Sequence, residues 1–327
     1  MKHNRYNYTL LLIFVSFLSC SQNEQFIETL RVTPVYNASG TLNEVYFINE
    51  LTGVVAGDKG CFFTTFDGGI TWNKTTVDDT LVSFNRISFP TPLVGYVSGD
   101  PNVIMKTTDG GHTWLPARES EFLDYTYFPS EDVGFGINKY TSKVYRTTNG
   151  GETWSETDFS SATGLLSPDA LFFFSEDTGI VIDNYFNEVS FTYNGGSSWH
   201  LSYEDDWLGA TFRHRTYKNI SYWAYGYAGA INGIFYTDDY GDHVDRFETE
   251  GLLSANYYYL NSINTHNGVL YCTCGQGIFA VSNNGGSFWT EYYDQNGENF
   301  EMFDAAALTE SIFIGINEST IYRLTAF

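Results

Sequence analysis

With 327 residues, the chain is long enough for two average domains or for one large all-β domain. Hydrophobic residues make up 43% and aromatic residues 18%, ample for a packed core, and no internal apolar run reaches the roughly eighteen residues of a membrane-spanning helix. Its net charge of -23 disfavours nucleic acid and anionic headgroups and leaves basic proteins, cations and neutral sugars as partners.

The first twenty residues differ in kind from the rest. Lys2, His3 and Arg5 are basic, Leu10 to Leu18 are apolar, and Leu18-Ser19-Cys20 follows. This is an export signal, not part of a fold. It resembles a bacterial lipoprotein signal, which implies cleavage before Cys20 and lipid on that thiol; an ordinary secretory signal with an incidental cysteine is the alternative. The expected division is therefore 1–20 as signal and lipidation site and 21–327 as one exported domain. That domain has 14 basic and 39 acidic residues, a net charge of -25. Several acyl chains, each methylene contributing about 0.8 kcal/mol, hold such a domain on a membrane. Cys61, Cys272 and Cys274 remain, an odd number, and are read as buried thiols, with a bridge from Cys61 to one of the others as the alternative.

Residues 26 to 33, Phe26-Ile27-Glu28-Thr29-Leu30-Arg31-Val32-Thr33, have strand composition. Beyond them the chain repeats itself. Thr65-Phe66-Asp67-Gly68-Gly69-Ile70-Thr71-Trp72 recurs nearly unchanged at Thr107–Trp114 and Thr147–Trp154, and more loosely at Thr192–Trp199 and Ser282–Trp289. Thr237, Asp239 and Gly241 keep the pattern between these. The third positions, Asp67, Asp109, Asn149, Asn194, Asp239 and Asn284, lie 42, 40, 45, 45 and 45 residues apart. In the second unit, Ser83 to Phe89, Val94 to Ser98, Asn102 to Thr107 and Thr113 to Ala117 read as four short strands, the signature of a propeller blade. The Asp-Gly-Gly or Asn-Gly-Gly group turns the chain between the third and fourth, and Trp72, Trp114, Trp154, Trp199 and Trp289 then pack between neighbours.

A last unit is cut short. Tyr322-Arg323-Leu324-Thr325 aligns with Tyr145-Arg146-Thr147-Thr148, which leaves the unit without its fourth strand. The strand at 26 to 33 is free to supply it. The expected fold is thus a seven-bladed all-β propeller of four-stranded antiparallel blades, its last blade closed by the N-terminal strand.

Ser/Thr-x-Asp-x-Gly-x-Thr-Trp is the Asp-box, or bacterial neuraminidase repeat. With the small-residue second strands Val94-Gly95-Tyr96-Val97-Ser98-Gly99 and Val133-Gly134-Phe135-Gly136 ahead of the boxes, the chain resembles the photosystem II assembly and stability factor family. The resemblance spans nearly all of residues 26 to 327. It implies a non-catalytic propeller that grips partner proteins during assembly. A photosystem role applies in a photosynthetic cell; a start at Ser21-Gln22-Asn23-Glu24 suits an outer-membrane lipoprotein equally well.

Sialidases carry the same box, but Asn stands at Asn149, Asn194 and Asn284, so the position needs a hydrogen-bond acceptor and not a charge. Six turns spread around a ring also cannot converge on one ligand. The boxes are therefore read as structural. Arg86, Arg213 and Arg215 fall in innermost strands and are candidates for a cluster in the central channel, with structural ion pairs as the competing reading. On the rim opposite the boxes, Tyr203, Asp205, Asp206 and Trp207, together with Tyr292, Tyr293 and Asp294, offer aromatic faces beside carboxylates. These suit a protein partner or a glycan, whether bound or cleaved by a hydrolase-like propeller. Asp183-Asn184-Tyr185-Phe186 lies on the same rim. His112, His200, His214, His243 and His266 lack metal-ligand spacing, and no phosphate loop or nucleophile elbow occurs. No cofactor, metal or catalytic residue is expected, and the chain is expected to be a monomer in the cell envelope, held to the outer membrane by lipid alone.

Overall fold

The computed structural model describes residues 27–75, 82–117, 123–138, 141, 143–157, 159, 168–183, 188–204, 210–217, 220–225, 233–237, 245–248, 260–274, 278–283, 285, 289–294, 302–309 and 311–326, with backbone alone at 201–250. Among the described residues the regular elements are strands, apart from the single helical residue Phe159. Among the described residues no helix is long and apolar enough to cross a membrane.

Five four-stranded sheets follow one another along the chain, each in simple up-and-down order. The first holds β2 (Leu42–Phe47), β3 (Gly53–Gly57), β4 (Phe62–Thr65) and β5 (Asn73–Lys74), and the second β6 (Ser83–Ser88), β7 (Gly95–Asp100), β8 (Val103–Thr107) and β9 (Leu115–Ala117). The third holds β10 (Tyr125–Tyr127), β11 (Gly134–Asn138), β12 (Lys143–Thr147) and β13 (Ser155–Glu156), and the fourth β14 (Pro168–Phe173), β15 (Gly179–Asp183), β16 (Glu188–Thr192) and β17 (His200–Glu204). The fifth holds β18 (Ala210–Tyr217), β19 (Ile220–Tyr225), β20 (Gly233–Thr237) and β21 (Asp245–Glu248). An eight-stranded sheet contains the rest: β22 (Leu260–His266), β23 (Val269–Cys274), β24 (Ile278–Ser282), β25 (Thr290–Asp294), then β1 (Ile27–Asn37), then β28 (Thr320–Ala326), β27 (Ile312–Ile316) and β26 (Asp304–Ala307).

The N-terminal strand serves two neighbours in succession. Ile27 to Leu30 run parallel to β25, and Leu30 to Asn37 run antiparallel to β28, from Leu30 opposite Ala326 to Asn37 opposite Thr320. The expected partner of the C-terminal strand is therefore present, displaced toward Asn37. Only Leu30 to Thr33 of the segment read as a strand face β28.

The first strands of successive units, β2, β6, β10 and β14, touch in order, as do β18, β22, β26 and β2, so they form the inner layer. Second strands are buried on both faces, as the unbroken burial of β3 and β11 shows, because each sheet is covered on both sides. This is why they read as small and apolar and do not alternate.

One packing rule repeats four times. Phe47 and Phe173 end their first strands, and Phe89 and Phe128 directly follow theirs, each six residues before Gly53, Gly179, Gly95 and Gly134 respectively, which open the second. Each ring lies over its glycine; a Cβ on Gly95 would sit 2.3 Å from Phe89 Cε1. Each ring also meets the tryptophan of its own unit edge-on: Phe47 and Trp72 at 6.1 Å, Phe89 and Trp114 at 5.8 Å, Phe128 and Trp154 at 5.8 Å, Phe173 and Trp199 at 6.2 Å. Edge-to-face pairs at such distances contribute about 0.5–1.5 kcal/mol beyond area burial. All-β order, four-stranded antiparallel sheets and this stacking are consistent with a β-propeller.

Candidate functional site

The boxes sit where the sequence places them, between third and fourth strands. Thr65 Oγ donates to Asp67 Oδ1 (2.8 Å) and accepts from the Gly69 amide (3.0 Å). Asp67 Oδ1 also accepts from the Ile70 and Thr71 amides (3.0 and 2.9 Å), and its Oδ2 accepts from the Thr71 hydroxyl (2.6 Å). Asp109 repeats this with Thr107 and Thr113. At Asn149 and Asn194 the Oδ1 bonds persist, while Nδ2 donates to the hydroxyl of Thr153 (2.9 Å) or Ser198 (2.8 Å). A hydroxyl both donates and accepts, so Asp and Asn are interchangeable opposite it. The paired glycines take φ of 71° and 74° at Gly68 and Gly69, as the turn requires. Hydrogen bonds from Thr113 hold the Asp109 carboxyl at about 2, below its ordinary 3.8; at Asp67, burial opposes but the bonds from Thr71 outweigh it, and the shift is also downward. Asp239 and Asn284 lie outside the described residues.

Trp72, Trp114 and Trp199 precede their fourth strands and pack against the preceding unit: Trp72 with Ile314 and Ile316, Trp114 with Val54 and Phe62, Trp199 with Phe135 and Val144. Trp154, less buried, packs similarly against Val94 and Tyr96, and Trp289 is buried. Cys61 and Cys272 are both buried.

Arg86 is buried and its guanidinium reaches Glu44 Oε1 at 3.0 Å, with the Tyr125 ring 5.4 Å away. Burial opposes its charge, and Glu44 more than restores it, so the guanidinium stays protonated. Glu44 Oε2 accepts from the Ile87 amide (2.9 Å), Asp304 Oδ2 from the Val45 amide (3.1 Å) and Ser98 Oγ from the Thr126 amide (3.2 Å). Val45, Ile87 and Thr126 each stand two residues before the repeating Phe47, Phe89 and Phe128, so an acceptor from one unit caps an inner-strand amide of the next. Asn43 and Asn261 add the reverse link, donating to the Phe84 and Met302 carbonyls. Arg86 is thus held in an ion pair between the first and second units. Arg213 and Arg215 lie on β18 with one residue between them; their side chains are not described.

Of the rim residues, Tyr203 is in β17, and Tyr292, Tyr293 and Asp294 are in β25, between β24 and β1 in the sheet rather than in a free loop. Tyr292 is half-buried, 6.3 Å from the Phe279 ring. Asp205, Asp206 and Trp207 lie outside the described residues, as do 184–187.

A concavity opens at the other end of the inner strands, on the face that carries the boxes. About 260 Å³ in volume, it is lined by Tyr46, Phe89, Pro90, Tyr127, Pro129 and Phe174 among others, with Arg86 in its wall. A second, of about 120 Å³, lies between Tyr46, Phe47, His266, Tyr271 and Ala307. Both draw on the residues that end the first strands. The signal for them was present as Phe-Pro at 89–90 and 128–129, but nothing in a single unit shows that these ends converge. Among the described residues no group of three or more His, Cys, Asp or Glu is placed to hold a metal ion.

Repeated four-stranded sheets with Asp-box turns between their third and fourth strands define the class: an all-β repeat protein of the propeller kind. Residues 28–318 match the family described as photosynthesis system II assembly factor YCF48, and the chain belongs to that family. Its fold is similar to a structure titled "YCF48 bound to D1 peptide", with 16% identity over 91% of this chain and 97% of that one and a TM-score of 0.66. It is also similar to YCF48 from Cyanidioschyzon merolae, with 17% identity, 91% and 98% coverage and a TM-score of 0.64. A xyloglucanase of family GH74 from Xanthomonas campestris has 12% identity and a TM-score of 0.66 over 90% of this chain, which spans about half (53%) of that enzyme. No curated protein matches the chain in sequence.

Proposed function

We propose that the chain is a protein-binding assembly scaffold of the cell envelope, anchored by lipid on Cys20 and built as a closed seven-bladed propeller. The eight-stranded sheet divides into two blades, β22 to β25 and β26 to β28 with β1, which added to the five single sheets gives seven. Contact between β26 and β2 supports closure. The observation that carries the function is the aromatic and proline-lined concavity at the mouth of the inner strands, in a chain of the YCF48 family. A structure of YCF48 is titled as bound to a D1 peptide, and an aromatic and proline-lined cleft in this chain suits an apolar peptide segment. Among the described residues, Arg86 in the wall of the concavity is taken up in its tie to Glu44.

A photo-crosslinking residue at Tyr127 or Phe174, in the intact envelope, is expected to capture one protein of defined mass, and at Thr141, between β11 and β12 on the opposite face, none. Release of sugar from a polysaccharide panel, abolished by Asp205→Ala or Asp206→Ala, would overturn this reading in favour of a glycan-cleaving propeller.

A further inference from the structure

The face that carries the boxes is uneven. In the first two units Leu51, Ile70 and Leu93 are 59%, 60% and 61% exposed, and Phe66 is 37% exposed. These residues adjoin one another through the box turns. The Gly68 amide donates to Leu51 O and the Gly110 amide to Leu93 O, while the Phe66 ring of the first box stacks on His112 of the second at 4.2 Å. In the third and fourth units the turns equivalent to those of Leu51 and Leu93 carry exposed Glu131, Asp132, Glu176 and Asp177 instead, although the fourth box keeps an aromatic residue, Tyr193, at the place of Phe66, 44% exposed. The aliphatic residues are therefore gathered on one side of the face, with Glu50 at its edge, and the acidic turns on the other.

The N-terminal strand fixes where the chain enters this face. β28 runs as a third strand, toward the box turns, and β1 lies antiparallel to it with Leu30 opposite Ala326, the end of β28. β1 is also parallel to β25, which starts directly after a box. Ile27 consequently lies at the box face, paired with β25 of the sixth unit, and from Leu30 the strand runs beside β28 of the unit that precedes Leu51 and Phe66. From Cys20 to Ile27 is seven residues, at most about 25 Å of extended chain. A lipid on Cys20 is therefore tied to the face that carries the apolar patch.

We infer that the apolar patch of Leu51, Phe66, Ile70 and Leu93 rests on the lipid surface to which the chain is anchored, so that the box face of the first two units lies against the bilayer and the acidic turns of the third and fourth tilt away. The inference rests on the proposed anchor at Cys20. Apolar side chains exposed together on one surface, rimmed by polar groups, mark a membrane or protein contact, and the tether selects the membrane here. The acidic turns would meet any anionic headgroup unfavourably, which sets the tilt. The mouth draws Tyr46, Phe89 and Pro90 from the first two units and Tyr127 and Phe174 from the third and fourth, so the half lined by Tyr127 and Phe174 lies toward the lifted side and is the part open to a partner near the membrane.

The full chain, purified from bacterial membranes and placed in phosphatidylcholine vesicles with brominated acyl chains, tests this. A fluorophore on Ile70→Cys or Leu93→Cys is expected to be quenched, and one on Thr141→Cys to be unaffected, with the unsubstituted chain setting the background. In a chain that also carries Leu51→Ser and Phe66→Ser, quenching at position 70 should fall while thermal unfolding remains cooperative. Mass spectrometry of the N-terminal peptide reads the acyl groups separately. An acylated chain with no quenching at 70 and 93, or with equal quenching at 141, would overturn the orientation alone. Absence of acyl groups would overturn the anchor, and the orientation with it.

Discussion

Asp109 illustrates how little of the box depends on charge. Its carboxyl titrates at about 2 in the folded chain because Thr113 and Thr107 donate to it, against an ordinary 3.8. A lowered folded value stabilises above the unfolded one, so the contribution is complete above about pH 4 and is lost as the pH falls toward 2. Solvent screening holds it to about 1 kcal/mol or less. Asp109→Asn, which reproduces the arrangement at Asn149, should leave the unfolding midpoint at pH 7 nearly unchanged and flatten its fall between pH 4 and 2. Asp109→Ala removes the acceptor for the Thr113 amide and should cost about 1 kcal/mol at pH 7. Equal losses for the two substitutions would show that charge is what matters. The Asn substitutions at Asn149, Asn194 and Asn284 made this legible in the sequence, because hydrogen bonding within a turn is local. Gly95 was legible only as a small residue. Its reason, the Phe89 ring 2.3 Å from where a Cβ would stand, belongs to the packed sheet. Gly95→Ala should destabilise by about 1–3 kcal/mol, measured by denaturant unfolding, with the ring or strand displaced.

At the scale of elements, the four strands of the second unit fall within two residues of where the sequence places them, because Pro and Gly punctuate their ends. The tryptophans proved to precede the fourth strand rather than enter it, since the box turn keeps hold of the chain through Thr71 and Thr113. What a single unit cannot display is the tie to the next one. Glu44 spans to Arg86 and to the Ile87 amide, and its loss strands a buried guanidinium. Glu44→Ala should therefore destabilise by about 3–5 kcal/mol, whereas Glu44→Ala with Arg86→Leu should recover a large part of that loss in a double-mutant cycle. If the double variant is no better than the single, the pair is not what holds the two units together.

At the scale of the whole molecule, the N-terminal strand joins the two halves of the eight-stranded sheet, lying between β25 and β28. β1 gives β28 its only second neighbour besides β27 in the sheet, so removing residues 27–37 exposes a strand edge next to a hydrophobic interior. Such a chain should lose hydrogen-exchange protection over 312–326 first and aggregate at concentrations where the full chain does not. Unchanged protection there would mean the ring closes by other contacts. Composition and box spacing determined by themselves the all-β class and the repeating four-stranded unit, because those signals are periodic and lie within one unit. Only the tertiary structure decided that Arg86 is tied to Glu44, 42 residues away, that Asp304 caps the Val45 amide, 259 residues away, and that aromatic ends of the first strands meet in a cleft on the box face rather than the opposite rim. Contacts between units depend on how the sheets are set around the axis, and that placement is a property of the assembled sheets and not of any stretch of chain.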